Sequence, residues 1–241
     1  NESLEKEINT LDMLSNGTID GFIVSISEEA QKLHEYAHFN EIIKEGTPIV
    51  MFDRISDEVD CDKVIVDDFD SAINATQHLI NIGCKKIAIF STIVILSVSK
   101  LRVQGYIEAL ENNKIKVDQN LMLLTDSTDE FDEKAKDFYK KHKIDGIFAL
   151  DEHTSIAAMK LSLQNGYKIP ENLSIIGFAD GAWSRRLTPS LSTVSQHGPE
   201  IGEAAAQLLI DRLEEKEENQ SPYKTKIIKT ELRQRESTRK L

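Results

Sequence analysis

The stretch Leu173-Ser-Ile-Ile-Gly-Phe-Ala-Asp180, continued by Pro189-Ser-Leu-Ser-Thr-Val-Ser-Gln196, decides how this chain reads. Its first part is a short apolar run rich in isoleucine, opened by Pro170 and closed by a polar loop. That is the pattern of a strand buried on both faces of a parallel sheet. Ligands of open α/β sheets sit at the carboxyl ends of the strands, where Ala179, Asp180 and Trp183 fall. The second part is another β-branched run, starting just after a proline. Two strands separated by a polar, arginine-rich loop predict a chain that leaves one sheet and enters another. The stretch therefore reads as the hinge and cleft of a two-lobed binding protein.

Helix and strand alternate on either side of it. Upstream, Leu4 to Leu14 carries Leu4, Ile8 and Leu11 on one helical face, and Asn16-Gly17 ends it. Strands follow at Asp20 to Ile26, Pro48 to Asp53 and Lys63 to Asp67, the first two separated by a helix through Ile42 and Ile43. A further helix has Ala72, Ile73, Thr76, Leu79 and Ile80 on one face and stops at Gly83. The pattern restarts at Lys86 to Phe90, a strand, then Lys100 to Glu111, a helix, and Leu121 to Leu124, a strand. Phe131 to His142 is a helix with Phe131, Ala135 and Phe138 facing inward; Asp145 to Leu150 is a strand and Thr154 to Gln164 a helix. Downstream, Ile201, Ala205 and Leu208 mark one more helix, which the acidic run Glu214 to Glu218 closes as a solvated end. Tyr223 to Glu236 alternates charged and apolar residues and reads as an edge strand. Such alternation predicts an α/β fold of parallel sheets wound on both faces, and the restart near Lys86 predicts two of them.

The totals fit. The chain has 241 residues, 40% hydrophobic and 29% charged, a globular composition with room for two lobes. A net charge of -12 and a pI of about 5.0 argue against this segment holding nucleic acid itself, since phosphates call for a basic face. Two cysteines, Cys61 and Cys84, make a disulfide framework unexpected and fit a reducing compartment. No apolar run approaches the roughly 20 residues that span a bilayer. The chain opens Asn1-Glu-Ser-Leu-Glu-Lys-Glu-Ile8, already inside a helix and without a signal peptide, which predicts that a front portion lies outside it. The histidines are scattered without a metal pair at helical spacing. Asp67, Asp68 and Asp70 lack the glycine and glutamate of a calcium loop and read as dipole caps of the next helix. No nucleophile elbow, phosphate-binding glycine loop or HExxH run occurs, so no enzyme activity, cofactor or metal is expected.

Several blocks together match a known family. They are Pro48-Ile-Val-Met-Phe-Asp-Arg54, Val66-Asp-Asp-Phe-Asp-Ser-Ala72 running into His78-Leu-Ile-Asn-Ile-Gly83, and Arg102-Val-Gln-Gly-Tyr-Ile-Glu-Ala-Leu110. Further on come Ile169-Pro-Glu-Asn-Leu173 through Phe178, Pro189 through Gln196, Ile201-Gly-Glu-Ala-Ala-Ala206 and Glu231-Leu-Arg-Gln-Arg-Glu-Ser237. Each is loose alone; their order and spacing are specific. The chain resembles the effector-binding core of LacI-type transcriptional repressors, which share the type I periplasmic binding protein fold. The resemblance implies two doubly wound parallel-sheet lobes joined by three crossovers, near Gly83 to Lys85, Arg185 to Thr188 and Asn219 to Tyr223. The lobes would be 1-84 plus 188-218, incomplete, and 85-187 plus 219-241. It implies a cytoplasmic homodimer whose small-molecule effector, a sugar or sugar derivative, closes the cleft. Closure would control operator DNA binding by a helix-turn-helix headpiece, which is absent here together with a first β-α-β unit. No membrane partner is implied. The alternative is a periplasmic sugar-binding protein of a transport system.

The resemblance also nominates residues. Arg102 matches an arginine that offers its planar donor fork to the ligand; otherwise it is a cation opposing a helix dipole. Asp53 and Arg54 end a strand at its carboxyl side, as ligand acceptor and donor or as a local ion pair. The family's aspartate after Gly-Phe is here Ala179, with Asp180 next to it as a doubtful substitute, because adjacent strand residues point opposite ways. Phe131 lines up with an aromatic that packs on ligand and equally suits a core. Trp183 offers a stacking face or lies on the rim. Asp151 and Glu152 match an Asn-Asp pair, Asp151 as ligand acceptor and Glu152 as cap of the next helix. Leu96 and Val98, in the apolar stretch Ile93 to Val98, either line the cleft or pack on the hinge that is absent here.

Overall fold

The computed structural model describes residues 2–15, 17, 19–215 and 221–240. The expected helix stop at Asn16, most of the acidic run 214–218 and the start of the crossover at Asn219 lie outside the described residues. The chain divides into two compact units.

The first unit comprises residues 1–66, 95–98 and 197–229. Its elements are α1 (Leu4–Leu14), β1 (Phe22–Val24), α2 (Glu28–Leu33), α3 (Ala37–Lys44), β2 (Ile49–Phe52) and β3 (Asp62–Val66), with α8 (Gly198–Glu214) and β9 (Thr225–Ile228) returning late in the chain. The strands form a four-stranded parallel sheet in the order β1-β2-β3-β9. Because side chains alternate along a strand, β2 feeds both faces. Ile49 and Met51 pack with Leu11, Ala30, Phe39 and Ile42 beneath α1, α2 and α3. Val50 packs with Ile201, Ala204, Ala205 and Leu208 of α8. The short α2 had no periodicity to reveal it; Ser27 caps it by accepting the Ala30 amide at 3.3 Å.

The second unit comprises residues 67–94, 99–196 and 230–241. It holds α4 (Asp68–Asn81), β4 (Ile87–Ser91), α5 (Ser97–Asn112, whose first residues fall in the first unit), β5 (Met122–Leu124), α6 (Thr128–Lys141), β6 (Gly146–Ala149), α7 (Glu152–Gln164), β7 (Ser174–Phe178), β8 (Ser192–Ser195) and β10 (Glu231–Arg233). The six-stranded sheet runs β10-β8-β7-β6-β4-β5, parallel except for β10. β6 again divides its side chains. Ile147 and Ala149 join Phe90, Phe131 and Phe138 under α6 and α7. Phe148 and Leu150 join Leu79, Tyr106 and Ile176 under α4 and α5. Each such fully buried Ile, Leu or Phe side chain contributes roughly 1.5–3 kcal/mol.

The α/β class with parallel sheets wound on both faces is what the alternation predicted. Several placements differ. The anchor stretch does not change sheets: β8 lies directly beside β7, parallel, with Ile176 opposite Ser192. The loop 179–191 is long enough for a parallel return without a helix. The predicted edge strand 223–236 is two strands, β9 parallel to β3 and β10 antiparallel to β8. The chain passes between units at Val66/Asp67, Gln196/His197 and Lys229/Thr230, with 95–98 returning to the first unit. These replace the expected boundaries at 84, 187 and 218. The reason for the first is that Ala72, Ala75 and Leu79 of α4 are buried with Tyr106 and Ile89, so α4 belongs to the second unit.

α4 and α5 touch backbone to backbone at Gly105. A Cβ there would lie 2.4 Å from the Phe69 carbonyl oxygen and 2.8 Å from the Ala72 Cβ. Alanine elsewhere in a helix is favoured over glycine by about 1 kcal/mol. Gly105→Ala is instead expected to destabilise the protein by about 1–3 kcal/mol through overpacking, read from the urea midpoint.

Candidate functional site

The carboxyl ends of β6 and β7 converge on one side chain, Arg102 of α5. It is buried, 4% exposed. Its Nε donates to Asp68 Oδ1 at 2.7 Å and its Nη1 to the Leu150 carbonyl at 2.7 Å. The guanidinium carbon lies 3.5 Å from the centroid of the Phe178 ring. Sequence order explains each partner. Asp68 opens α4, where a carboxylate suits the helix dipole. Leu150 follows β6 and Phe178 ends β7, so a carbonyl and a ring are offered from adjacent strands. Arg102 is the sixth residue of α5, which begins at Ser97, so the expected conflict with the helix dipole in the first turn does not arise. Its charge is met by a buried carboxylate instead.

Asp151 stands at the same strand end. Its Oδ1 accepts the Thr154 amide at 2.8 Å and its Oδ2 the Thr92 amide at 2.9 Å, so Asp151 is the cap of α7. That task had been expected of Glu152, which lies inside the helix. Asp151 thereby ties the end of β4 to the start of α7.

Asp180 is engaged by four side chains of its own unit. Its side chain is 5% exposed. Oδ1 accepts from Arg235 Nη2 at 2.6 Å, Thr193 Oγ1 at 2.9 Å and Ser184 Oγ at 3.0 Å, while Oδ2 accepts from Arg233 Nη1. Burial pushes this carboxyl upward, but the hydrogen bonds from Arg235, Thr193, Arg233 and Ser184 outweigh it and bring it down to about 2. Ala179, beside it, takes a left-handed backbone at φ 80° and donates its amide to Val194.

Phe131 is fully buried in the core beneath α6, edge to face with Phe90 at 5.5 Å. Trp183 is 58% exposed in the loop after β7. Leu96 and Val98 are buried and group with the first unit. In that unit, Asp53 ends β2 with φ 58°, half-buried, its amide donating to Val64 at 3.0 Å and its side chain engaged within the protein. An aspartate tolerates that backbone better than most residues. Arg54 turns its fork onto Glu2, Nη1 at 2.7 Å and Nη2 at 3.1 Å, with Nε on Ser25 Oγ at 3.2 Å. Those donors are thus occupied from within the unit.

The structure therefore brings Arg102, Asp151 and Asp180 to neighbouring strand ends of one sheet, and leaves Phe131 in the core behind. Asp68, Phe178 and Thr92 were missed as partners. Asp68 stood among three aspartates at a helix start, a pattern with a sufficient explanation as capping. Among the described residues no group of three His, Cys, Asp or Glu side chains is placed to hold a metal ion, and no helix is long and apolar enough to cross a membrane.

The chain is similar in sequence and fold to known proteins. A family model described as a periplasmic binding protein-like domain matches residues 76–238. The HTH-type transcriptional repressor PurR of Haemophilus influenzae is 28% identical over 243 residues, 98% of this chain and 70% of that protein. The ribose operon repressor of Halalkalibacterium halodurans is 31% identical over 240 residues, 99% of this chain and 68% of that one. Among solved structures, a LacI family transcriptional regulator from Enterococcus faecium with bound ribose superposes with a TM-score of 0.81 at 26% identity, covering 96% of this chain and 84% of the other.

Two variants probe the geometry. Asp68→Asn leaves Arg102 buried without its carboxylate and is expected to cost about 3–5 kcal/mol, whereas the volume-matched pair Asp68→Leu with Arg102→Met is expected to recover most of that in urea unfolding. Asp180 sits below its ordinary 3.8, so the stability it confers is complete above about pH 4 and fades as pH falls towards about 2. That acid-labile component, about 2 kcal/mol, is expected to vanish in Asp180→Asn when urea midpoints at pH 5 and pH 2.5 are compared.

Proposed function

The chain belongs to the periplasmic binding protein-like family, among its LacI-type transcription regulators, and we propose that it is the effector-sensing core of a ligand-responsive repressor. Its effector, in this reading, is a small polyhydroxylated molecule, a sugar or sugar derivative. The observation that carries the proposal is Arg102, a guanidinium fixed from two sides at the carboxyl ends of two parallel strands. A donor held so rigidly gives direction to a ligand hydroxyl at little ordering cost. Its charge is already balanced by Asp68, which suits a neutral ligand better than an anion. The bound ribose in the Enterococcus regulator supports the same class.

Within the second unit we assign ligand contact to Arg102 and to Trp183, an exposed stacking face; in the first unit, taken by itself, Asp53 is the candidate. Phe178 is the support on which Arg102 stacks. Asp151 and Asp180 act as positioning residues that fix the strand ends, and Arg54 is held back by Glu2. The effector acts on transcription only through different affinities for two conformations of the protein. Operator contact falls to a helix-turn-helix segment beyond these residues, consistent with a net charge of -12 here. A homodimer is part of the proposal. The relatives are transcription repressors and regulators, which favours the repressor reading over transport.

A thermal-shift screen of pentoses, hexoses and disaccharides tests the class. Saturation at a hundredfold excess over Kd adds about 2.7 kcal/mol, expected to raise Tm by roughly 5–10 °C in a chain of this size. Trp183→Ala and Asp53→Asn are expected to weaken that response while unfolding normally without ligand. A response to none of the sugars, together with binding of a purine or another aromatic effector, would remove the sugar class. A monomer by light scattering at micromolar concentration would remove the homodimer.

A further inference from the structure

The segment that follows β10 closes a surface pocket whose lining includes Pro170, Gln234, Thr238, Arg239 and Lys240. None of these belongs to the effector site proposed above. The charges around the pocket are unequally met. Arg235, also in its wall, is bound to Asp180, to the Leu191 carbonyl at 2.7 Å and to Thr193 Oγ1 at 2.8 Å. Glu236 turns Oε2 to the Ser190 amide at 2.8 Å and the Ser190 hydroxyl at 2.9 Å.

Arg239 is different. Its backbone amide donates to Ser174 Oγ at 3.3 Å, and its Nη2 donates to Cys84 Sγ at 3.0 Å. Burial raises the Cys84 thiol above its ordinary range, so at neutral pH that sulfur is an uncharged acceptor. Among the described residues, the buried Nε of Arg239 has no acceptor, and no carboxylate is paired with the guanidinium. A second buried donor adjoins the same wall. His78 of α4 is 6% exposed and lies 3.2 Å through Nδ1 from Gln234 Nε2. Burial lowers its pKa, so the ring is neutral near pH 7. With Gln234 donating to Nδ1, the ring proton falls on Nε2, which has no acceptor among the described residues. Buried N–H groups without acceptors are rare in folded proteins; here one belongs to Arg239 of the pocket wall and the other to His78, which is bonded to Gln234 of that wall.

We infer that this pocket is a second ligand site, for a small oxyanion carried as a phosphate or carboxylate group, gripped by Arg239 and Lys240 with Gln234 and Thr238 alongside. The guanidinium fork and a mobile ammonium together suit such a group, the first by paired hydrogen bonds and the second by point charge. The site is independent of the effector reading.

The experiment is a titration of the whole chain with inorganic phosphate, sulfate and acetate at constant ionic strength, chloride being the balancing anion, followed by Tm and by backbone amide shifts. Phosphate or acetate is expected to produce a saturable rise in Tm that chloride does not, with the largest amide shifts at 234–240. The ratio of phosphate to acetate affinity identifies the oxyanion. Lys240→Gln, at an exposed position, and Arg239→Gln are each expected to weaken binding by about tenfold or more. If Arg239→Gln unfolds, Lys240→Gln carries the test. A response equal to that of chloride, or one unchanged in Lys240→Gln, overturns the inference.

Discussion

The buried pair between Arg102 and Asp68 is the constraint on which the second unit turns. Two opposite charges, each about 95% withdrawn from water, are tolerable only with close geometry and further hydrogen bonds. Both conditions are met by the fold around them. Gly105, one turn along α5, lets that helix lie against α4, and the same contact brings the first residue of α4 within reach of Arg102. The Leu150 carbonyl and the Phe178 ring then complete the surroundings of the guanidinium from below. Helix packing, ion pair and strand ends meet in one arrangement around Arg102.

A second network gives the sheet its far edge. Asp180 gathers Arg233 and Arg235 against β7 and β8, and Ser237 binds the Ile175 carbonyl at 2.6 Å while its oxygen accepts the Ser192 amide at 2.8 Å. The segment beyond β10 is thereby fixed through polar contacts where an edge strand of three residues offers little apolar surface. Ala179 holds a left-handed backbone between this network and Phe178. Such a conformation in a residue with a Cβ persists only where its neighbours over-determine it. The carboxyl end of β7 is thus shaped by arginines more than fifty positions away in the chain.

How much of this was legible depended on the kind of signal. Runs such as Lys86 to Phe90 and Asp145 to Leu150 announced buried strands because they are apolar on both faces, and the helix through Ala72 and Leu79 announced itself by its stripe. The short α2 was silent because six residues make too few turns for a period to show. The segment 223–236 misled because strand alternation continues across Lys229 and Thr230, where the chain passes from one sheet to another. At the strand ends, a resemblance drew attention to Arg102, but its partner was hidden among Asp67, Asp68 and Asp70. Asp180 and Asp151 looked like free acceptors because a sequence shows a carboxylate without showing which amides and guanidinium groups point at it.

Local order in the chain, then, was enough to determine the class of fold. Hydrophobic period, glycine stops and the alternation of helix with strand all arise from interactions between near neighbours, and these are written in order along the sequence. The tertiary structure alone decided which strands pair, where the chain passes between units, and which charged groups are consumed by one another. Those outcomes depend on contacts between residues tens to hundreds of positions apart, such as Arg102 with Asp68 or Arg235 with Asp180. Burial makes each such pairing strong while leaving no local mark of it.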